Sequence, residues 1–238
     1  MSWLRSRTDK MDPRDQYISK VVGNKSFADI GGLWGTVNEK VSVANQYGAS
    51  ALTMIDVTPR GLDLWLRFEE RCRRLKLPEV TCISADILNI GSILGEQQFD
   101  VVHCSGVLYH MPDPIRLLGV LRKITREYLV LASCVTGTRI HSDEGVLEVP
   151  QAALLFIPAL QWRERAVIKS YWQQFVGDTA KGLTSEAGGW RVGDFGPWWW
   201  LPTVDALKAM CRAAGFRCEE GAHFWNNNAY VLLLSVVK

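Results

Sequence analysis

The 238-residue sequence has little that would indicate a metal site, a disulfide framework or nucleic-acid binding. None of its six cysteines forms a C-x-x-C pair, and most lie inside apolar patterns, which indicates buried side chains in a reducing compartment. Its four histidines have no ligand spacing, so we predict no metal site. The net charge of +2 is too small to indicate a nucleic-acid partner by itself.

Long apolar runs are also missing. The longest one late in the chain, residues 152–160, is far too short to span a bilayer and contains Pro158. Near the N-terminus, Trp3 and Leu4 are followed at once by charged residues, so we predict no secretory signal. We therefore expect a cytoplasmic protein that has no membrane contact.

An acid, a glycine turn and a second acid stand between residues 26 and 56. The apolar run 26–30 contains Asp29, and the run 51–56 ends in Asp56. Three glycines follow the first run: Gly31, Gly32 and Gly35. The dinucleotide fingerprint G-x-G-x-x-G does not occur there, and a carboxylate beside a pyrophosphate would repel it.

This pattern predicts a socket for a nucleoside that carries a cationic group. Glycine lets the backbone approach a ligand closely, and the carboxylate of Asp56 is suited to accept hydrogen bonds from ribose hydroxyls. The carboxylate of Asp29 is suited to the ammonium of a methionine moiety. S-adenosylmethionine meets both requirements, which favours a methyl- or related alkyltransferase. The alternative is that Asp29 and the glycines only form a strand-to-helix turn.

The alternation of strand-length apolar runs with longer helical patterns predicts an α/β fold, with a parallel sheet and helices on both faces. Predicted strands span 26–30, 51–56, 80–84, 99–104 and 127–133, and predicted helices span 35–47, 61–76, 114–124 and 203–214. Two further strands, 216–220 and 230–237, are separated by three asparagines suited to a turn. They predict a closing hairpin with an antiparallel last strand.

We expect a single domain over residues 1–238 with two additions. The first is an N-terminal segment, residues 1–25, which either closes over the site or is disordered. The second is an insertion, residues 137–200, where the strand and helix pattern breaks down. Together with Trp225 it holds seven of the ten tryptophans: Trp162, Trp172, Trp190, Trp198, Trp199, Trp200 and Trp225. We expect the insertion to cap the site and shape an acceptor pocket. The alternative is that its aromatic residues form a small separate core, and the two interpretations are compatible.

Residues 99–114, which read F-D-V-V-H-C-S-G-V-L-Y-H-M-P-D-P, resemble the fourth-strand region of class I S-adenosylmethionine-dependent methyltransferases. The string 106–110, together with 198–216, is similar to proteins grouped with the tRNA wobble-uridine carboxymethyltransferase. The resemblance covers about 25–136 and 196–238. It implies the Rossmann-like sheet of that class and S-adenosylmethionine as the cosubstrate.

The same resemblance implies roles for single residues. It assigns the methionine end of the cosubstrate to the first acid and its turn, Asp29, Gly31, Gly32 and Gly35, and the ribose and adenine to the next two strand ends, Asp56, Val57, Asp86 and Ile87. It places Cys104 and Ser105, at the fourth strand end, beside the sulfonium, and Tyr109 near the methionine end or the transferred group. Leu33 departs from the pattern, which would have glycine there.

Methyl transfer from a sulfonium needs mainly alignment and the exclusion of water, and a general base only if the acceptor loses a proton. We expect His110 to be the best base candidate, with Tyr109 to orient the acceptor or the cosubstrate. The alternatives are that His110 ties its loop to Asp113 or to backbone, and that Tyr109 only packs its ring.

Three other features are weaker. We expect His141 to be a surface residue and His103 to be a satisfied residue inside its strand. Residues 198–200, three consecutive tryptophans, predict either an aromatic wall for a planar acceptor or an anchor for the insertion.

Three hypotheses about function follow. A methyltransferase with a small-molecule acceptor is favoured, because the net charge is near neutral and we identify no RNA-binding appendage. The second is a tRNA-directed alkyltransferase with a normal or carboxylated cosubstrate. The third is a non-catalytic S-adenosylmethionine-binding protein, for which Leu33 is the only support. The sequence leaves the acceptor and the oligomeric state open.

Overall fold

A seven-stranded sheet forms the centre of the protein in a computed structural model, which describes residues 11–34, 39–176, 182–183, 189–193 and 196–237. The strand order is β10-β11-β5-β4-β1-β2-β3. These strands are β1 Ser26–Ile30, β2 Ala51–Asp56, β3 Val80–Ser84, β4 Phe99–Ser105, β5 Thr125–Cys134, β10 Phe216–Phe224 and β11 Ala229–Val236. The pairs from β5 to β3 are parallel, and β11 is antiparallel to its two neighbours. The predicted fold class is thus confirmed.

Helices cover both faces of this sheet, as predicted. One face carries α1 Pro13–Val21, α2 Val41–Gln46 and α3 Asp63–Leu75, and the other carries α4 Gly91–Leu94, α5 Pro114–Ile124 and α7 Val204–Ala213. Successive strand residues alternate between the two cores. In β4, Val101 packs with the first group of helices and Val102 with the second.

Side-chain caps satisfy free backbone N–H groups at the starts of α5 and α7. The carboxylate of Asp113 accepts from the backbone N–H of Arg116 at the start of α5, where Pro114 occupies the first turn. Thr203 accepts from the backbone N–H of Ala206 at the start of α7. Because α5 follows directly on the loop after β4, its cap fixes where that loop ends.

The insertion contains more regular structure than its sequence pattern indicated. β6 Arg139–Ser142 pairs with β7 Gly145–Glu148, β8 Leu154–Phe156 pairs with β9 Trp200–Pro202, and α6 spans Trp162–Val176. Its apolar residues form a third cluster with the end of β5: Cys134, Ile140, Val149, Ile157, Val167, Ile168, Trp172, Leu183, Trp198 and Leu201. The aromatics therefore do build a small core of their own.

Several element bounds differ from the predicted ones. The helix expected over 35–47 is described only from residue 39 onward, where α2 begins at Val41. The first hairpin strand is longer than predicted, because β10 continues to Phe224 and pairs with β11 as far as Ala229. Helix α1 was not predicted at all.

Within the described ranges no helix is long and apolar enough to cross a membrane, and no group of three or more side chains could together hold a metal ion.

Candidate S-adenosylmethionine site

Four neighbouring parallel strands bring the predicted site residues to one edge of the sheet. Because β4, β1, β2 and β3 are adjacent and parallel, their carboxyl ends lie side by side. Ser105 ends β4, Asp29 precedes the last residue of β1, Asp56 ends β2, and Asp86 follows β3. The backbone N–H of Gly31 donates to the carbonyl of Ile55 at 2.8 Å, which joins the first two strand ends. The predicted grouping is therefore present.

The carboxylate of Asp29 is fully buried and both of its oxygens are engaged inside the protein. Its Oδ1 atom lies 2.7 Å from Nδ1 of His103, and its Oδ2 atom accepts the backbone N–H of Lys40 at 2.8 Å. A Cβ on Gly32 would lie 2.4 Å from Oδ2, so only glycine fits against this carboxylate. Asp29 is thus placed to hold the turn that follows it.

The turn after β1 contacts the loop after β4. Gly31 has a φ of 74°, and a Cβ there would lie 2.6 Å from the Val107 side chain, so its bare backbone permits the approach. Leu33 is fully buried among the residues of the α1–α3 core. The bulky residue in the glycine pattern is therefore absorbed by that core. Gly35 lies outside the described residues.

Asp56 accepts two backbone hydrogen bonds. Leu33 donates to Oδ2 at 3.3 Å and Thr58 donates to Oδ1 at 2.9 Å. The carbonyl of Thr58 in turn accepts from Nε1 of Trp65 at 2.7 Å and from Oγ of Ser84 at 2.8 Å. These bonds fix the β2 end, and Val57 stands half exposed between Asp56 and Thr58.

Asp86 and Ile87 lie at the start of a short 3₁₀ turn after β3. Asp86 caps this turn by accepting from the backbone N–H of Leu88 at 2.9 Å, and it also accepts from the side chain of Asn89 at 2.8 Å. Ile87 is almost completely buried in the core on the α5 side. The structure therefore places Asp86 at the edge and directs most of Ile87 into the core.

Cys104 and Ser105 point in opposite directions at the end of β4. The thiol of Cys104 is fully buried in the α5-side core, and burial together with the charge of Asp29 raises its pKa. The hydroxyl of Ser105 instead accepts a hydrogen bond from Nη1 of Arg14 at 3.2 Å. Of the two side chains, only Ser105 is directed toward α1.

A charged network attaches α1 to this edge. Arg14 pairs with Asp12 at 2.5 Å, and the Lys40 ammonium lies 2.5 Å from Asp15 and 3.6 Å from Asp12. Burial raises the pKa of Asp12, but hydrogen bonds from Arg14 and the charges of Arg14 and Lys40 outweigh it and lower the pKa to about 2. Lys40 therefore contacts both α1, through its ammonium, and Asp29, through its backbone. Residues 1–10 of the predicted N-terminal segment lie outside the described residues.

The loop after β4 presents Tyr109 and His110 to the insertion. The ring of Trp198 lies 4.5 Å from that of Tyr109, and the backbone N–H of Trp199 donates to the Tyr109 carbonyl at 2.8 Å. Nδ1 of His110 lies 3.2 Å from the carbonyl oxygen of Pro197. The two segments that carried the family resemblance therefore meet in space.

The protonation states of these two residues differ from those of exposed side chains. Burial lowers the pKa of His110 from 6.5, although hydrogen bonds to the carbonyls of Pro197 and Gly196 oppose the shift. Burial, with Cys134 beside it, raises the pKa of Tyr109 well above 10. At neutral pH His110 is therefore a neutral imidazole, whereas Tyr109 keeps its hydroxyl proton.

The three consecutive tryptophans do not form one continuous wall. Trp198 packs on Tyr109 and, at 5.0 Å between ring centroids, on Trp172 of α6. Trp199 and Trp200 instead lie against Phe156, at 6.4 Å and 4.6 Å. All three nevertheless adjoin the loop after β4. Trp198 does so through its ring, Trp199 through its backbone N–H, and Trp200 through Nε1, which donates to the carbonyl of Pro112 at 3.0 Å. His141 lies exposed on β6, as expected.

Comparison with known families decides the class of this fold. Residues 28–128, which run from within β1 to within β5 and include the predicted socket, match the family model described as "Methyltransferase domain". The predicted enzyme class, an S-adenosylmethionine-dependent methyltransferase, is confirmed, and so is S-adenosylmethionine as the cosubstrate. No curated protein is similar to the chain in sequence.

Solved structures similar to this chain have the same fold. Magnesium protoporphyrin IX methyltransferase from Synechocystis PCC 6803, with bound SAH, has 12% identity and a TM-score of 0.57, covering 94% of this chain and 82% of its own. The 1,6-didemethyltoxoflavin-N1-methyltransferase of Burkholderia thailandensis has 12% identity and a TM-score of 0.56, covering 94% and 79%. The CcbJ methyltransferase from Streptomyces caelestis has 14% identity and a TM-score of 0.56, covering 100% and 94%.

Three residues around the candidate site were not assigned to it from the sequence. They are Arg14, Lys40 and His103, and each reaches the edge through a contact between separate elements. His103 was expected to be a satisfied strand residue, but only its Nδ1 atom has a partner, and Nε2 is buried without one in the described part of the chain. Strand alternation was the only signal available, and it does not give the register between β1 and β4.

Proposed function

We propose that the protein transfers the methyl group of S-adenosylmethionine to a small-molecule acceptor by in-line displacement. The observation that carries the proposal is the placement of the Tyr109–Trp198 contact directly after the β4 end, beside the row of strand ends with Asp29, Asp56 and Ser105. An aromatic surface at that position suits an organic acceptor of limited size. Two similar structures, by their names, act on magnesium protoporphyrin IX and on 1,6-didemethyltoxoflavin.

The residues at the edge fit the cosubstrate in charge and in space. Each carboxylate oxygen of Asp56 accepts one backbone N–H and keeps a further lone pair for a ribose hydroxyl. We assign each part of the cosubstrate to the residues that the resemblance implied. The methionine end is assigned to Asp29, Gly31, Gly32 and Gly35, and the ribose to Asp56. The adenine is assigned to Val57, Asp86 and Ile87, and the sulfonium to Cys104 and Ser105.

Asp29 contributes to this socket in an indirect way. Because both of its oxygens are engaged by His103 and Lys40, its carboxylate supports the methionine end by fixing the turn. The same reasoning applies to Cys104, whose buried thiol shapes the socket from the core side. Bound S-adenosylmethionine would supply an activated methyl carbon, so the protein's own part is alignment and the exclusion of water.

His110 has the properties of a general base for an acceptor that loses a proton. Its Nδ1 atom faces a carbonyl, which can only accept, so Nδ1 carries the ring proton and Nε2 carries a free electron pair. The lowered pKa keeps the imidazole neutral at pH 7. Tyr109 keeps its proton, so it acts by orienting the acceptor or cosubstrate and not as a base.

The N-terminal segment and the insertion complete the proposed site. Helix α1 reaches Ser105 through Arg14, which places residues 11–21 of the segment 1–25 against the edge. The insertion, residues 137–200, adds Trp198 on the other side of the same loop. We infer that both act as walls of one closed site within a single cytoplasmic domain.

A tRNA-directed alkyltransferase remains the second candidate. The observation that favours it is the contact between residues 106–110 and 198–199, because both segments resemble the wobble-uridine group. A tRNA partner would bind through phosphate contacts, so its affinity would fall steeply with added salt.

Calorimetric titration with S-adenosylmethionine and its carboxylated analogue tests the proposal. Binding of S-adenosylmethionine, followed by transfer of its labelled methyl to a fraction of small metabolites, supports the first candidate. Preference for the carboxylated form with salt-dependent tRNA binding supports the second. Binding of S-adenosylmethionine with no transfer to either class would favour a non-catalytic protein, and binding of neither cosubstrate would contradict all three.

A further inference from the structure

His103 is a buried polar residue that the proposed chemistry does not use. It lies in β4 with 3% of its surface exposed, opposite Asp29 of β1 and Val130 of β5. Its Nδ1 atom lies 2.7 Å from Oδ1 of Asp29. Since an ionised carboxylate can only accept, Nδ1 is the donor in this contact.

The second ring nitrogen has no partner. Nε2 of His103 is buried and makes no hydrogen bond to any residue in the described part of the chain. An unpartnered buried polar atom costs free energy, so an apolar side chain like those of its neighbours Val101 and Val102 would stabilise the strand more. The benefit of an imidazole at this position therefore lies in its one partner, Asp29.

Asp29 in turn holds both sides of the glycine turn. Its Oδ2 atom accepts the backbone N–H of Lys40 at 2.8 Å, and the backbone of Gly32 packs directly against the same oxygen. A shift of the carboxylate would move both contacts. Without His103, Oδ1 would be a buried acceptor with no donor, which would favour such a shift.

We propose that His103 is a positioning residue for the cosubstrate, which fixes the Asp29 carboxylate and through it the glycine turn. The inference rests on the proposed function of that turn as the methionine end of the socket. It extends that function to a residue of β4 that does not itself contact the ligand.

The test is the affinity for S-adenosylhomocysteine, measured by calorimetry on the full chain and five variants. His103→Asn keeps a donor near the position of Nδ1, whereas His103→Gln places its amide near Nε2, and His103→Leu removes both. We expect about tenfold weaker binding for the Leu and Gln variants and binding within about threefold of wild type for the Asn variant. Asp29→Ala, alone and combined with His103→Leu, closes a double-mutant cycle.

The outcomes separate the inference from the function on which it rests. We expect His103→Leu to weaken binding no further when Asp29 is already alanine, because its effect passes through that carboxylate. Additive losses in the cycle would overturn the inference. Equal affinities of the Asn and Gln variants would also overturn it, and this comparison can be made even if the Leu variant does not fold. A wild-type protein that binds neither S-adenosylmethionine nor S-adenosylhomocysteine would overturn the proposed function and the inference with it.

Discussion

The imidazole of His110 is tied to the carbonyl oxygen of Pro197, 3.2 Å from Nδ1, although the two residues are 87 positions apart. His110 belongs to the loop after β4, and Pro197 belongs to the insertion. One hydrogen bond therefore orients the base candidate and joins the insertion to the loop after β4. It also selects the tautomer, because a carbonyl accepts only from a protonated nitrogen.

Acid should weaken the folded state through His110. Its pKa is lowered on folding, so the unfolded chain binds more protons between that lowered value and 6.5. Stability is therefore lost as the pH falls through this window, by at most about 1.4 kcal/mol per pH unit for one proton. Urea unfolding at pH 7.5, 6.5 and 5.5 measures the slope. His110→Asn keeps a donor to Pro197 without a titrating group, and an unchanged slope in that variant would contradict the prediction.

Removing the charge of Asp12 should loosen α1. Asp12→Asn breaks its pairs with Arg14 and Lys40, and we expect a loss of about 1–2 kcal/mol in the free energy of unfolding at pH 7. The difference from wild type should shrink as the pH falls from 3.8 toward 2, because the unfolded chain then takes up a proton on Asp12 that the folded chain binds only near pH 2.

Asp63→Asn is the matched control for this experiment. The Asp63–Arg67 pair is exposed on both sides, so its loss should change stability by less than about 0.5 kcal/mol. Equal effects of the two substitutions would show that the α1 network is no more than a surface ion pair.

A methyl group on Gly32 should damage the socket. The added Cβ would lie 2.4 Å from Oδ2 of Asp29 and 2.8 Å from the Met54 side chain, so the turn must move. We expect Gly32→Ala to cost about 1–3 kcal/mol in stability and to weaken S-adenosylhomocysteine binding about tenfold or more. Gly119→Ala in α5 meets nothing within 4 Å and should stabilise the protein slightly. Wild-type affinity in Gly32→Ala would remove the turn from the proposed site.

Arg14 should affect cosubstrate binding more than other charges of α1. Arg14→Met removes the donor to Ser105 at the β4 end, and we expect S-adenosylhomocysteine affinity to fall severalfold in calorimetry. Lys20→Met, on the same helix, breaks an exposed pair with Glu220 and should leave affinity unchanged. If both variants bind like wild type, α1 is not a wall of the site.

Much of the sheet was predictable because β-strand and helix periods are local. The runs ending in Ile30, Asp56 and Ser84 coincide with β1, β2 and β3, and parallel neighbours place their ends together. Helix α1 was missed, because it has few apolar residues, Tyr17, Ile18 and Val21, and most of its other side chains are polar. Its position depends on contacts with Lys40 and Ser105, which no local pattern encodes.

The sequence by itself determined the class of protein: an acid, a glycine turn and a second acid on successive strands are local features, and they predict S-adenosylmethionine with its methyltransferase sheet. Only the tertiary structure decided how that socket is held. The register between β1 and β4 sets His103 against Asp29, and the folding of the insertion sets Trp198 and Pro197 against Tyr109 and His110. These contacts join residues 74 to 89 positions apart, so they arise from packing of whole elements and not from any local preference of the chain.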